Sequence, residues 1–244
     1  MLSLLFYLFL VVICTSFLVV SIVALGVTYP FQKSRRVVHE ISRCMVRIFF
    51  FVPLTWRHKV LGMEHIDRSK SYVIVINHSA MTDIPSLYFL PLNFRWVSKR
   101  EVFKLPFFGQ FLSVHGDICI NRGHGAEALE QLLRDGKLWL SRGASVAIFP
   151  EGTRSKDGEI HRFKTGAFTL AREAGVDLLP VVVDGTKRMI KKNKLFNWHN
   201  TVTLSVLSPI TAAQIATMET KVLMEQVHDA MSTALAEIRL EAKK

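Results

Sequence analysis

The stretch Tyr72-Val-Ile-Val-Ile-Asn-His-Ser-Ala-Met-Thr-Asp83 decides how this chain of 244 residues is read. Its first five residues are β-branched or aromatic, which predicts a buried strand at 72–76. His78 and Asp83 then fall where that strand gives way to a helix. In open α/β sheets, ligands bind beyond the carboxyl ends of the strands. A carboxylate one helical turn from a histidine can accept the proton-bearing ring nitrogen, leaving the other nitrogen free to take a proton from a hydroxyl. The same spacing fits a structural reading, in which Asp83 caps the helix that Pro85 helps to open. The pair alone does not choose between them.

A second run, Phe149-Pro-Glu-Gly-Thr-Arg-Ser155, follows another strand-like segment, Ser145-Val-Ala-Ile-Phe149. It would emerge on the same edge of a parallel sheet as His78. Gly152 permits a tight backbone and close ligand approach. Arg154, beside Ser155 and Lys156, offers a forked donor suited to phosphate or carboxylate. Glu151 needs a partner next to an anion site, and Arg154 is the nearest in sequence. By itself the heptapeptide reads equally as a surface turn with solvated charges. Two strand-end motifs with complementary chemistry, a base and an anion clamp, favour a site.

These two runs resemble the first and third signature blocks of the glycerophospholipid acyltransferases, the PlsC-like lysophosphatidate acyltransferase family. Gly116-Asp-Ile-Cys-Ile-Asn-Arg122 resembles the second block and Leu179-Pro-Val-Val-Val183 the fourth, in the family's order. Trp96-Val-Ser-Lys-Arg-Glu101, which carries Lys99, and Phe163-Lys-Thr-Gly-Ala-Phe168 resemble further recurring segments. The likeness covers residues 72–185. It departs at Asn121, where family members usually carry an acidic residue; this weighs against a carboxylate role there and leaves an anion-binding role for Arg122.

The resemblance implies transfer of an acyl chain from a coenzyme A or acyl carrier protein thioester to the sn-2 hydroxyl of 1-acyl-sn-glycerol-3-phosphate. The product would be phosphatidic acid, and another lysolipid, such as a lyso-ornithine lipid, is the alternative acceptor. It further implies that His78 is the base and Asp83 its orienter. Acceptor binding falls to Glu151, Gly152, Thr153, Arg154, Arg122 and Lys99, while Pro180 and Val181 border the acyl chain. No cofactor is implied beyond the thioester co-substrate.

Composition points the same way. The chain is 50% hydrophobic and carries 31 basic against 20 acidic residues, a net charge of +11. Such an excess suggests nucleic acid or an anionic membrane. Met1 to Gln32 holds no charged residue, and about 20 apolar residues suffice to cross a hydrocarbon core, so a membrane is expected and nucleic acid is not. The segment lacks a basic n-region and outruns the apolar stretch of a cleaved signal. Lys33, Arg35 and Arg36 then set the catalytic part on the cytoplasmic side of the cell membrane. Spanning the bilayer and turning back within one leaflet both stay open for residues 1–32.

Val37, Ile41, Cys44, Ile48 and Phe51 lie at helical spacing, with Trp56 placed to anchor in headgroups. This suggests an interfacial helix, with a core helix as the alternative. The expected division is a membrane anchor at 1–58 and an α/β acyltransferase domain at 59–244. That domain is a single layered unit, a mostly parallel or mixed sheet flanked by helices. Val60 to Lys70 reads as a polar connection, and the residues around Pro106-Phe-Phe-Gly109 as an aromatic loop. Helices are expected at Ala126–Arg142, Thr165–Ala174 and Val222–Leu240, with a capping box at Thr211-x-x-Gln214.

Several patterns lead elsewhere. Gly143-Ala-Ser-Val-Ala147 lacks the strand that must precede a nucleophile elbow, so Ser145 reads as a strand residue. The histidines form no His-x-x-x-His pair, and the cysteines Cys14, Cys44 and Cys119 have no ligand spacing, so no metal is assigned. Nothing near His78 offers an activated serine or cysteine, so the acceptor's own hydroxyl is the expected nucleophile. A backbone amide near Gly152 is a candidate oxyanion donor. The rival readings are a thioesterase, in which the same pair activates water, and a noncatalytic lipid-binding protein.

Overall fold

The computed structural model describes residues 2–51, 56–105, 107–121, 125–190 and 197–242. Arg122 lies outside the described residues, as do Lys191, Lys192 and Lys194 of a basic run that reads from sequence as a solvated face or a contact with anionic headgroups. Among the described residues, seven strands form one mixed sheet: β1 (Trp56–Leu61), β2 (Val73–Ile76), β3 (Phe94–Lys99), β4 (Ile118–Ile120), β5 (Ser145–Ile148), β6 (Leu178–Asp184) and β7 (Asn200–Val206). Their spatial order is β1-β7-β6-β2-β5-β3-β4. β6, β2, β5, β3 and β4 run parallel, β7 is antiparallel to β6, and β1 is parallel to β7.

Strand periodicity divides the core in two. Val73, Val75, Val146, Ile148, Leu178 and Val182 face one side, under α6 (Gly125–Ser141), α7 (Gly166–Ala174) and α9 (Thr220–Glu241). Tyr72, Ile74, Ile76, Ala147, Phe149, Leu179 and Val181 face the other, where α2 (Arg36–Phe51) supplies Val46 and Phe50. Strands buried on both faces read as unbroken apolar runs, which is why β2, β5 and β6 were visible in the sequence. Gly136 does not divide α6; it lets Leu170 of α7 approach where a side chain would collide with it.

The expected interfacial helix is thus also a layer of the domain. Val38, His39, Ser42, Val46 and Phe50 are buried against the sheet. Val37, Cys44 and Phe51, from the stripe expected to face lipid, are exposed, beside Glu40 and Arg47. Trp56 is not a headgroup anchor. It is buried at the start of β1, and its indole N–H donates to the Asn197 carbonyl at 2.6 Å. β1 occupies part of the expected polar connection and straddles the boundary expected at 58/59.

Before these elements runs α1 (Leu2–Thr28), about 40 Å long at 1.5 Å per residue. Leu4, Leu8, Val12, Val19 and Val23 are among its exposed apolar side chains. Among the described residues it is the one helix long and apolar enough to cross a membrane. Its link to α2 is clamped onto the domain. The Ser34 carbonyl accepts from Asn93 and from the buried Arg95, while Arg35 donates to the Ser113 and Val114 carbonyls at 2.9 Å. Arg95 also lies over the Trp139 ring, 4.8 Å from its centroid.

The remaining short helices are α3 (Asp83–Ser86), α4 (Arg100–Phe103), α5 (Phe108–His115) and α8 (Ala212–Thr217). The expected aromatic loop in fact enters α5, with Phe107 at a positive φ of 62° immediately before it. The capping box of Thr211 and Gln214 opens α8 as the spacing predicts.

Candidate active site

Because β2, β3, β4, β5 and β6 are parallel, all the motif loops leave the sheet at one edge. His78 follows β2, the Phe149–Arg154 run follows β5, Lys99 ends β3, and a 3-10 turn at Thr186–Arg188 follows β6. Asn77 braces the first of these loops. Its side-chain amide donates to the Val183 carbonyl at 2.9 Å and accepts from the Val183 N–H at 2.8 Å, adding a rung where the strands end.

His78 Nδ1 lies 2.8 Å from Asp83 Oδ2. The same oxygen accepts from the backbone N–H of Ser79 at 2.7 Å and of Ala80 at 2.8 Å. Asp83 Oδ1 accepts from the Thr186 hydroxyl. The Asp83 side chain is 0% exposed and that of His78 13%. A carboxylate that accepts on both oxygens has one orientation, and it compels Nδ1 to carry the proton. Among the described residues, Nε2 takes no hydrogen bond. Asp83 does not cap α3, which has no side-chain cap; its bonds run back into the His78 loop.

Glu151 is the residue whose surroundings differ most from expectation. It is buried and does not pair with Arg154. Oε1 accepts from the His78 N–H at 3.0 Å and Oε2 from the His161 N–H at 3.1 Å. Burial raises its carboxyl above the usual range, and the two amides oppose that shift. The His78 carbonyl in turn accepts from the Ser155 N–H at 2.7 Å. The two motif loops are therefore stitched together through backbone groups, with Glu151 as the fastener. Gly152, at φ 74°, makes the turn within the second loop; an added Cβ would also meet the Lys164 side chain at 2.8 Å.

Arg154 is exposed and has no carboxylate partner among the described residues. With Ser79, Thr153, Ser155, Lys156 and Lys187 it lines a cleft of about 390 Å³ beside the His78 loop. Three cations and no carboxylate suit an anionic group. Lys187, on the turn after β6, was not singled out for this site from sequence; it donates to the Lys156 carbonyl across the cleft. Thr186 was missed for the same reason, because β6 must fold beside β2 before the turn meets Asp83. A larger cleft of about 580 Å³ at Lys59, Asp184, Arg188 and Arg239 has its cations paired with Glu241, Asp184 and Glu159.

Other expected site residues lie elsewhere. Lys99 is exposed on the same sheet edge but does not line the Arg154 cleft. Pro180 and Val181 are buried in β6, and Val181 packs in the core beneath α2. The reason is that a central strand spends its apolar run on packing both faces. Ser145 is structural: its hydroxyl accepts from the Tyr72 N–H. His115 is a core histidine, 2.8 Å from Asp117 Oδ1. Among the described residues no group of three potential ligands could hold a metal ion.

The edge just described, with a carboxylate-held imidazole and an uncompensated cationic cleft, coincides with the region matched by a family model. That model, described as Acyltransferase, matches residues 57–184, just over half of the chain, and the chain belongs to that family. The chain is 33% identical over 177 residues to a chloroplastic 1-acyl-sn-glycerol-3-phosphate acyltransferase of Arabidopsis thaliana, covering 72% of this chain and 49% of that protein. It is 29% identical over 241 residues to a 1-acyl-sn-glycerol-3-phosphate acyltransferase of Haemophilus influenzae, covering 97% and 96%. The crystal structure of the 1-acyl-sn-glycerophosphate acyltransferase PlsC from Thermotoga maritima shares the fold, with a TM-score of 0.74, 22% identity and coverage of 97% and 96%. The chain spans about half the length of the first curated relatives it matches, 49%, 46% and 49%.

Proposed function

We propose that this protein transfers an acyl chain from a thioester to the sn-2 hydroxyl of 1-acyl-sn-glycerol-3-phosphate, forming phosphatidic acid. The observation that carries the reading is the His78–Asp83 pair with Nε2 unengaged, opening beside an uncompensated cationic cleft. In the mechanism, Nε2 takes the proton of the acceptor hydroxyl as its oxygen attacks the thioester carbonyl. Asp83 stabilises the imidazolium that forms. The tetrahedral intermediate collapses with cleavage of the carbon–sulfur bond, and the imidazolium proton passes to the departing thiolate. The products are the diacyl phosphate and free thiol, and His78 is regenerated.

Arg154, Lys156 and Lys187 receive the acceptor's phosphate, with Thr153 at the rim. Gly152 and the Glu151 stitch hold that cleft against the base. Arg122 and Lys99 are assigned to acceptor binding from the family resemblance alone. No metal or cofactor takes part. The donor is an acyl chain on coenzyme A or acyl carrier protein, both anionic and both suited to a basic protein. The anchor comprises α1 and its link, and it holds the domain on the cytoplasmic face of the cell membrane. The α/β domain then begins with the α2 layer, and the outward stripe of α2 rests at the lipid surface.

Purified full-length protein incubated with an acyl thioester, with and without lysophosphatidate, tests the reading. Thiol release should require the acceptor and be matched by phosphatidic acid. His78→Ala and Asp83→Ala should each lose activity by roughly 10²–10⁴-fold, the contribution of a positioned acid–base group. Acceptor-independent release would instead make the protein a thioesterase. Turnover at the wild-type rate in folded His78→Ala would end the mechanism.

A further inference from the structure

The Asp83 bond fixes one nitrogen of His78 but leaves the ring free to swing about the line joining them. A second contact removes that freedom. The imidazole lies flat on the Phe149 ring, with centroids 3.8 Å apart and planes 16° from parallel. Phe149 lies in turn on Trp96, at 4.9 Å and 15°. Beyond it, Phe94 meets Trp96 edge-on at 5.6 Å, and His39 of α2 meets Phe94 edge-on at 4.6 Å. A column of rings thus joins the catalytic histidine to the first layer of the domain.

The column is held from behind by polar contacts. The backbone N–H of Trp96 donates to Asp117 Oδ1 at 2.8 Å, and the same oxygen lies 2.8 Å from His115 Nδ1. His115 Nε2 is 3.0 Å from His39 Nδ1. Trp96, Phe94, His39 and His115 are all buried, so each ring is confined by its neighbours. Interiors this close-packed transmit displacement from one side chain to the next.

We propose that Phe149 and Trp96 are positioning residues for the reaction. They set the plane of the His78 imidazole so that Nε2 points at the acceptor hydroxyl, and α2 is the far support of that setting. Phe149 acts by direct stacking and Trp96 acts through Phe149. As the imidazole gains charge, it does so over an aromatic face, whose quadrupole attracts a cation. The proposal rests on His78 being the base.

The test uses the full-length protein in detergent. Phe149→Leu keeps an apolar side chain and removes the ring. It should lower kcat by roughly 10- to 100-fold, the cost of about 1 Å of misplacement, while both KM values stay within about 3-fold. With selectively labelled histidine, the His78 Cε1–H resonance, identified by its loss in His78→Ala, should lie upfield in the wild type from the ring current and move downfield in Phe149→Leu. Trp96→Leu should share the kcat loss and Trp96→Phe should restore most of it. Wild-type kcat in folded Phe149→Leu would overturn the proposal. If that variant does not fold, equal kcat values in Trp96→Leu and Trp96→Phe overturn it. An active His78→Ala would instead remove the reading beneath it, whatever Phe149 does; an inactive His78→Ala with a fully active Phe149→Leu removes the positioning alone.

Discussion

The Thr186 hydroxyl donates to Asp83 Oδ1, the carboxylate oxygen that His78 does not use. The tie is reciprocated one residue earlier, where the Thr82 hydroxyl donates to the Thr186 carbonyl at 2.9 Å. The turn after β6 and the loop after β2 therefore fix the Asp83 carboxylate from both sides. Both threonines are buried, so neither bond competes with water.

Thr186→Val should leave Asp83 Oδ1 without its partner, at a stability cost of about 1–3 kcal/mol. With the carboxylate free to turn, kcat should fall on the order of 10-fold, and Thr186→Ser should recover it. Steady-state kinetics beside thermal unfolding of the two variants checks this. Equal kcat in both would show that the hydroxyl does not act through Asp83.

Arg154→Ala should raise KM for a phosphate-bearing acceptor much more than it changes basal thioester hydrolysis, because Arg154 lines the cationic cleft assigned to the acceptor's phosphate. Acceptor KM in the wild type should rise with ionic strength, and the variant should lose part of that dependence. Equal losses in the two assays would show that Arg154 serves the thioester or the fold.

Acidification should destabilise the protein partly through His58. This residue of β1 stacks on Phe89 at 3.9 Å, and burial pushes its imidazole down to about 4. A base whose folded value is depressed contributes stability that is present above its unfolded value, near 6.5, and is lost as pH falls toward 4. The loss should be on the order of 2 kcal/mol after allowance for partial exposure. His58→Phe, measured by denaturant unfolding from pH 7 to pH 4, should be correspondingly less pH-dependent. An unchanged slope would assign the acid sensitivity to other groups.

A chain beginning at Lys33 should leave the membrane more readily than the full protein yet keep its fold. One beginning at Val37 removes Ser34 and Arg35, and so strips the buried Arg95 of its Ser34 carbonyl. A hydrogen bond to a charged group contributes about 1.5–3 kcal/mol. The shorter chain should therefore unfold at a lower temperature, by several degrees. Matching melting curves for the two truncations would show that the clamp on the link contributes nothing.

What could be read beforehand follows physical lines. β2, β5 and β6 announce themselves because central parallel strands are apolar on both faces, and the ends of β2 and β5 carry the polar motifs. β1 was hidden because it is an edge strand: Arg57 and Lys59 alternate with half-buried residues and disguise it as a connection. Glu151 was given the wrong partner because its actual ones are backbone N–H groups, which carry no residue signature. Thr186, Lys187 and the Phe149 stack depend on β5 and β6 lying beside β2. No local spacing reveals contacts made across the sheet.

The pairing of β1 with β7, Trp56 opposite Asn200, has a consequence for biogenesis. The strand is synthesised roughly 140 residues before β7, the neighbour it pairs with in the sheet. Contacts so distant in sequence close slowly, and an unpaired strand invites association with other chains while it waits. The charged outer residues of β1 guard it during that interval. An N-terminal helix already held in lipid would also keep each nascent strand apart from its neighbours on other ribosomes.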